Sequence, residues 1–126
     1  MDTRKLDTIQ QRNKLNNVFA QGETGPCGER SEYAVVRPCA DNENAGEMIA
    51  IIQFQHGPRD VDGSIAGILN EDALEMVRDR LIAVQDSPLA CHWNAMALDH
   101  IEAALLYLKQ RSDDRAEHGV IGTLKA

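Results

Sequence analysis

Arg111 and Arg115 stand four residues apart in a stretch of helical period, which places them one turn apart on the same side of a helix. Two guanidiniums at that spacing form a fork suited to a phosphate or pyrophosphate, since each stays charged and meets oxygens two at a time. Asp113, Asp114 and Glu117 lie close by, so surface ion pairing is the competing use of both arginines. Asn94, near the start of the same stretch, carries an amide able to read a base or ribose edge.

Covalent chemistry is poorly supplied. A nucleophile needs an activating base, yet His56, His92, His100 and His118 are scattered and no strand-nucleophile-helix elbow occurs. Cys91 and His92 are adjacent on a helix and so point about 100° apart. Cys27, Cys39 and Cys91 are odd in number and lack metal-ligand spacing, which speaks against a disulfide framework or a zinc site and for reduced thiols. Glu71, Asp72, Glu75 and Asp79 read as a solvated helix face rather than a metal cluster. The glycines between Gln21 and Ser31 have neither dinucleotide-fingerprint nor P-loop spacing, and the stretch reads as a connecting loop.

The elements that position these residues are two helices. Ser87 caps and Pro88 opens a long helix running to Gly119, with Trp93, Met96, Ala97, Ile101, Ala104, Leu105 and Leu108 as its apolar stripe. The helix before it opens at Asn70, carries Glu71 and Asp72 in its first turn, and turns Leu74, Val77, Leu81 and Val84 inward. They form an antiparallel hairpin in which the long helix, at about 42 Å, outruns its partner of about 24 Å. The overhang from Ile101 to Leu108 needs a cover, either the N-terminal half of the chain or the same helix of a second chain about a two-fold axis.

Upstream, Thr3 to Ala20 shows a weak helical pattern in Leu6, Ile9, Leu15, Val18 and Phe19. Glu32–Arg37 and Glu47–Gln55 are strand candidates around the turn-rich Asp41–Gly46, and pair as an antiparallel hairpin. His56–Ile68 is a long irregular connection of the kind that serves binding. The expected class is α+β, an N-terminal helix and small antiparallel sheet followed by a long helical hairpin that dimerises. With 126 residues, 43% apolar, it fits a single domain, 1–126, divided into 1–56, the loop 57–69 and the hairpin 70–126. Twenty acidic against 13 basic residues, net −7, disfavour a duplex-DNA binder while leaving room for a local basic pocket. No apolar run near about 18 residues and no leader pattern occur, so a soluble, unexported protein is expected.

Across Gln53 to Thr123 one ordered series stands out: Phe54-Gln55-His56-Gly57-Pro58-Arg59, Gly67, Asp79-Arg80-Leu81, Gln85, Cys91 with Asn94, Ala97-Leu98, Ile101-Glu102, Ala104-Leu105, Arg111, Arg115, Gly119-Val120 and Gly122-Thr123. It resembles the phage anti-Thoeris sponge proteins, the type-one Thoeris anti-defence family, whose helical hairpin is shared with phage anti-CBASS sponges. Gly25-Pro26-Cys27-Gly28 and Glu32-Tyr33 extend the likeness weakly. The resemblance implies a protein that catalyses nothing, uses no cofactor or metal, and sequesters cyclic nucleotide signals in the cytoplasm of the infected bacterial host. Those signals are glycocyclic ADP-ribose isomers and, in some members, cyclic di- or trinucleotides. It further implies a homodimer, with hexamers built as trimers of dimers in some members.

Arg59, Asn94, Arg111 and Arg115 match the family's polar ligand-contacting positions, and Val84 stands where the family places an aromatic that stacks on the purine. Trp93 is open to two readings, a substitute stacking face or hairpin core. Asn94 and Arg115 lie 21 positions apart, about 31 Å along a helix, too far for one chain to close both on one small ligand. An antiparallel pair of long helices would bring the arginines of one chain beside Asn94 and Val84 of the other. The alternatives are a small phosphodiesterase acting on cyclic nucleotides and a non-binding structural helical dimer.

Overall fold

The computed structural model describes residues 3–11, 15–39 and 42–121; Gly122 and Thr123 of the resembling series lie outside the described residues. The chain is α+β and divides into two compact units, Met1–Ile68 and Leu69–Ala126.

The first unit is a four-stranded antiparallel sheet in sequential order, made of β1 (Arg4–Lys5), β2 (Asn17–Thr24), β3 (Arg30–Cys39) and β4 (Asn42–Gln53). The N-terminal helix expected over Thr3 to Ala20 is corrected by β1 and β2. Ile9 and Leu15, two members of its supposed stripe, are exposed and therefore drive no helix docking. Val18 and Phe19 instead serve a strand, and β2 pairs with β3 through Ala20 opposite Tyr33. The loop expected from Gln21 to Ser31 shrinks to residues 25–29. Gly25 N–H donates to Glu29 O at 2.7 Å and Cys27 N–H to the Glu29 carboxylate at 2.9 Å, closing the β2–β3 hairpin. The two anticipated strands are present and longer, as β3 and β4. Ala20 and Ala34 are buried on opposite faces of the sheet, and Tyr33 meets Phe54 edge to face at 5.6 Å.

The second unit is the helical hairpin, α1 (Asn70–Gln85) and α2 (His92–Glu117). Leu69 is the N-cap of α1, one residue before the expected Asn70, and its N–H donates to Asp72 Oδ2 at 2.9 Å. The long helix begins later than Ser87. Ser87 Oγ accepts from Leu89 N–H at 3.1 Å and Ala90 N–H donates to Ser87 O at 3.1 Å, so Ser87 and Pro88 belong to the connecting turn. Cys91, extended at φ −151°, caps α2 through its sulfur, which accepts from Asn94 N–H at 3.4 Å. Gly119 ends the helix as expected. At φ +67° it lets Gly119 N–H reach Ala116 O at 3.1 Å and Val120 N–H reach Arg115 O at 2.9 Å, a Schellman stop.

Neither helix contains a fully buried residue. Leu74, Leu81 and Val84 are half-buried, whereas Val77, expected inward, is exposed. Two helices alone offer each stripe too little cover.

Candidate ligand-binding site

Arg59 sits in the first unit, on the 56–68 connection, which is a pinned loop rather than a free one. Gln55 N–H donates to Ile68 O and Ile68 N–H to Gln53 O, both at 2.9 Å, and His56 and Ile65 exchange two more backbone bonds at 2.9 Å. Gln55 Oε1 is the hub. It accepts from Arg59 Nε at 3.2 Å, Arg59 Nη2 at 3.0 Å and Gly67 N–H at 3.2 Å, while Arg59 Nη2 also donates to Gly67 O at 3.0 Å. The guanidinium is thereby held in one attitude with Nη1 unengaged among the described residues, and the side chain remains exposed. A fixed exposed arginine suits capture of an anion, because less side-chain freedom is lost on binding.

Val84, Asn94, Arg111 and Arg115 lie in the second unit. Val84 is in the last turn of α1 and Asn94 in the first turn of α2, so the connecting turn brings both to one end of the hairpin. That turn is braced by Gln85, whose Nε2 donates to Cys91 O and whose Oε1 accepts from Cys91 N–H, each at 3.1 Å. Asn94 is half-buried, and its side-chain amide makes no hydrogen bond among the described residues.

Arg111 and Arg115 stand at the other end of α2, one turn apart. Arg111 is exposed and has no ion pair among the described residues; Lys109, at 2.6 Å, is the cation that Asp113 takes, which pushes the lysine pKa up. Arg115 is half-buried and donates from Nη2 to Val120 O at 2.9 Å, tying its guanidinium to the Schellman stop. Within the second unit the residues therefore fall at the two ends of α2, while Arg59 belongs to the first unit. Asn94 and Arg115 are about 31 Å apart along the axis, beyond the reach of one small ligand.

Reasoning from sequence alone missed two parts. Arg78 on α1 donates from Nε to Glu102 on α2 at 2.8 Å and from Nη1 to Glu75 at 3.2 Å, and these carboxylates, Glu102 first, raise its pKa. The signal was the apposition of an Arg and a Glu on facing helices, legible only once their register is known. The Gln85 brace had no local signal at all.

Residues 48–112 match the family described as Acb2/Tad1, hairpin domain. The chain belongs to the Acb2/Tad1 hairpin family. The matched stretch of this hairpin-family chain takes in Arg59, Val84, Asn94 and Arg111, and ends three residues short of Arg115. Among curated proteins it is similar to Thoeris anti-defense 1 of Bacillus phage SBSphiJ7, at 42% identity over 79 residues, which cover 63% of this chain and 54% of the phage protein. The chain thus spans about half the length of the curated relative it matches. The anti-Thoeris likeness read from the residue series is borne out at the level of family.

Proposed function

We infer that the protein is a phage anti-defence sponge, one that binds a cyclic nucleotide signal of bacterial immunity in the host cytoplasm and holds it without cleavage. Membership of the Acb2/Tad1 hairpin family, over a stretch that includes four of the five site residues, is the observation that carries this reading. The name of the similar Bacillus phage protein directs it to the Thoeris system.

The mechanism is capture by complementary charge and shape. Arg111 and Arg115 hold a pyrophosphate, Asn94 reads a base or ribose edge, and Val84 lines the apolar wall; Arg59, on the pinned loop of the first unit, offers its own guanidinium to an anion. Two chains are needed, since an antiparallel pairing of α2 helices sets the arginines of one beside Asn94 and Val84 of the other and creates two equivalent pockets. Cyclic ADP-ribose isomers fit this division of labour, one pyrophosphate and one purine; cyclic di- and trinucleotides share the same chemical groups. A sponge acts by stoichiometry, so its dissociation constant must lie well below the signal concentration. Nanomolar binding corresponds to about 12 kcal/mol, within reach of several charge-assisted bonds in a water-poor pocket.

The test is a retention assay. Protein is mixed with a cyclic ADP-ribose isomer, filtered, washed, heat-denatured, and the released small molecule chromatographed. Retention of one intact ligand per chain is expected. Altered ligand would make the protein a phosphodiesterase, and no retention of any cyclic nucleotide would leave a structural helical protein.

A further inference from the structure

We propose that a cleft on the sheet of the first unit binds a linear aliphatic polyamine, a chain with an ammonium group at each end. The cleft holds about 360 Å³ and is lined from β2, β3, the end of β4 and Ile65 of the connection. It lies wholly within the first unit and shares no residue with the set described above.

The group that points to a ligand is a serine. Ser31 lines the cleft and is only 5% exposed, yet its hydroxyl makes no hydrogen bond among the described residues. Its backbone oxygen is taken, accepting from Phe54 N–H at 2.7 Å and from Gln53 Nε2 at 3.2 Å. A buried hydroxyl is unfavourable to leave unbonded, so one that opens on a cleft marks the place of a ligand atom. The backbone keeps that place open. Gly22, at φ +81°, sits where the β2–β3 register shifts, and a Cβ there would lie 3.1 Å from Ser31 Oγ and 2.8 Å from Glu32 Cβ.

The other polar atoms of the cleft agree on one chemistry. Gln21 Nε2 donates to Glu32 Oε2 at 2.6 Å, and Gln53 Nε2 donates to Ser31 O at 3.2 Å and Phe54 O at 2.8 Å. Those partners can only accept, so each amide turns its NH₂ to the protein and keeps Oε1 as an acceptor. Glu32 Oε1 and the Glu23 carboxylate likewise accept nothing among the described residues, and no lining residue is cationic. An anionic cleft rich in acceptors suits a group that only donates. An ammonium is that group, charged and with three N–H donors. Two carboxylates, Glu32 half-buried and Glu23 exposed, call for two ammonium groups, the inner one shared with Ser31 Oγ. Ile65 offers the methylenes an apolar contact, and the volume, against about 30 Å³ for a water, is more than a bare ion fills.

The unaltered protein is titrated with spermidine, putrescine, butylamine and butanediol at physiological salt, following heat and, in parallel, amide NMR shifts. Saturable binding of one polyamine per chain, weaker binding of butylamine, none of butanediol, and shifts centred on Gln21, Ser31, Glu32 and Gln53 are expected. Glu32→Gln, which keeps an acceptor for Gln21, and Ser31→Ala should each weaken polyamine binding by about tenfold. Glu47→Gln removes the same charge from an exposed site on β4 and should bind as the unaltered protein does. Equal weakening by Glu47→Gln and Glu32→Gln, or heat that never saturates, assigns the effect to the net negative charge of the chain and overturns the site. Butylamine as tight as putrescine overturns the two-ammonium occupant, and no heat with any amine overturns the proposal outright. Should Glu32→Gln fold poorly, the location of the shifts in the unaltered protein decides.

Discussion

Arg111 and Arg115 carry the same charge but are differently committed. Arg111 is exposed without an ion pair among the described residues, while Arg115 also fastens Val120 O at the end of α2. Arg111→Ala should therefore weaken ligand binding by about ten- to a hundredfold, the scale of hydrogen bonds to charged groups, and leave the melting temperature unchanged in a calorimetric scan. Arg115→Ala should lower both. The i, i+4 fork was legible in the sequence because helical period alone dictates it. The tether to Val120 was not, since it exists only after Gly119 has turned the chain back.

The same distinction holds for the elements. Both helices and the Gly119 stop follow from periodicity and from one glycine, so they were legible to within a few residues. The N-terminal strands were not. Val18 and Phe19 fit a helical spacing with Leu15 as well as they fit a strand, and only their pairing with β3, a non-local event, chooses between the two. The start of α2 was misplaced because Ser87 and Pro88 are signals shared by turns and helix caps; the Gln85 brace on Cys91 decides it. Gln85→Leu should accordingly cost about 0.5 to 1.5 kcal/mol, read as a slightly lower melting temperature, by removing two hydrogen bonds from an exposed turn; Cys91 O keeps its bond from Ala95 N–H.

Glycines give a matched contrast. A Cβ at Gly119 meets nothing within 4 Å, so Gly119→Ala should cost only about 1 to 2 kcal/mol for the left-handed conformation. A Cβ at Gly67 would lie 2.4 Å from Gln53 O and from the Phe54 carbonyl carbon. Gly67→Ala should displace the loop that fixes Arg59, detectable as faster hydrogen exchange at Ile65 and Ile68 amides.

At the scale of the whole molecule, the hairpin leaves its apolar residues half-covered. α2 outruns α1 by 10 residues, about 15 Å, and on α2 itself Leu106 and Tyr107 are 67% and 77% exposed. A second chain supplies the missing cover and the missing half of each pocket in the proposed assembly. Sedimentation at micromolar concentration should show dimers or larger even-numbered species, and dilution to monomer should abolish binding; a binding-competent monomer would refute the two-chain pocket.

Capture without turnover in a pocket shared by two chains is to be tested by calorimetric titration with a cyclic ADP-ribose isomer, followed by recovery of the ligand. Nanomolar affinity, one site per chain, intact recovered ligand, and loss of the heat in an Arg111→Ala, Arg115→Ala double variant that remains folded are expected. Undiminished heat in that variant, or a chemically altered ligand, would contradict capture of this kind.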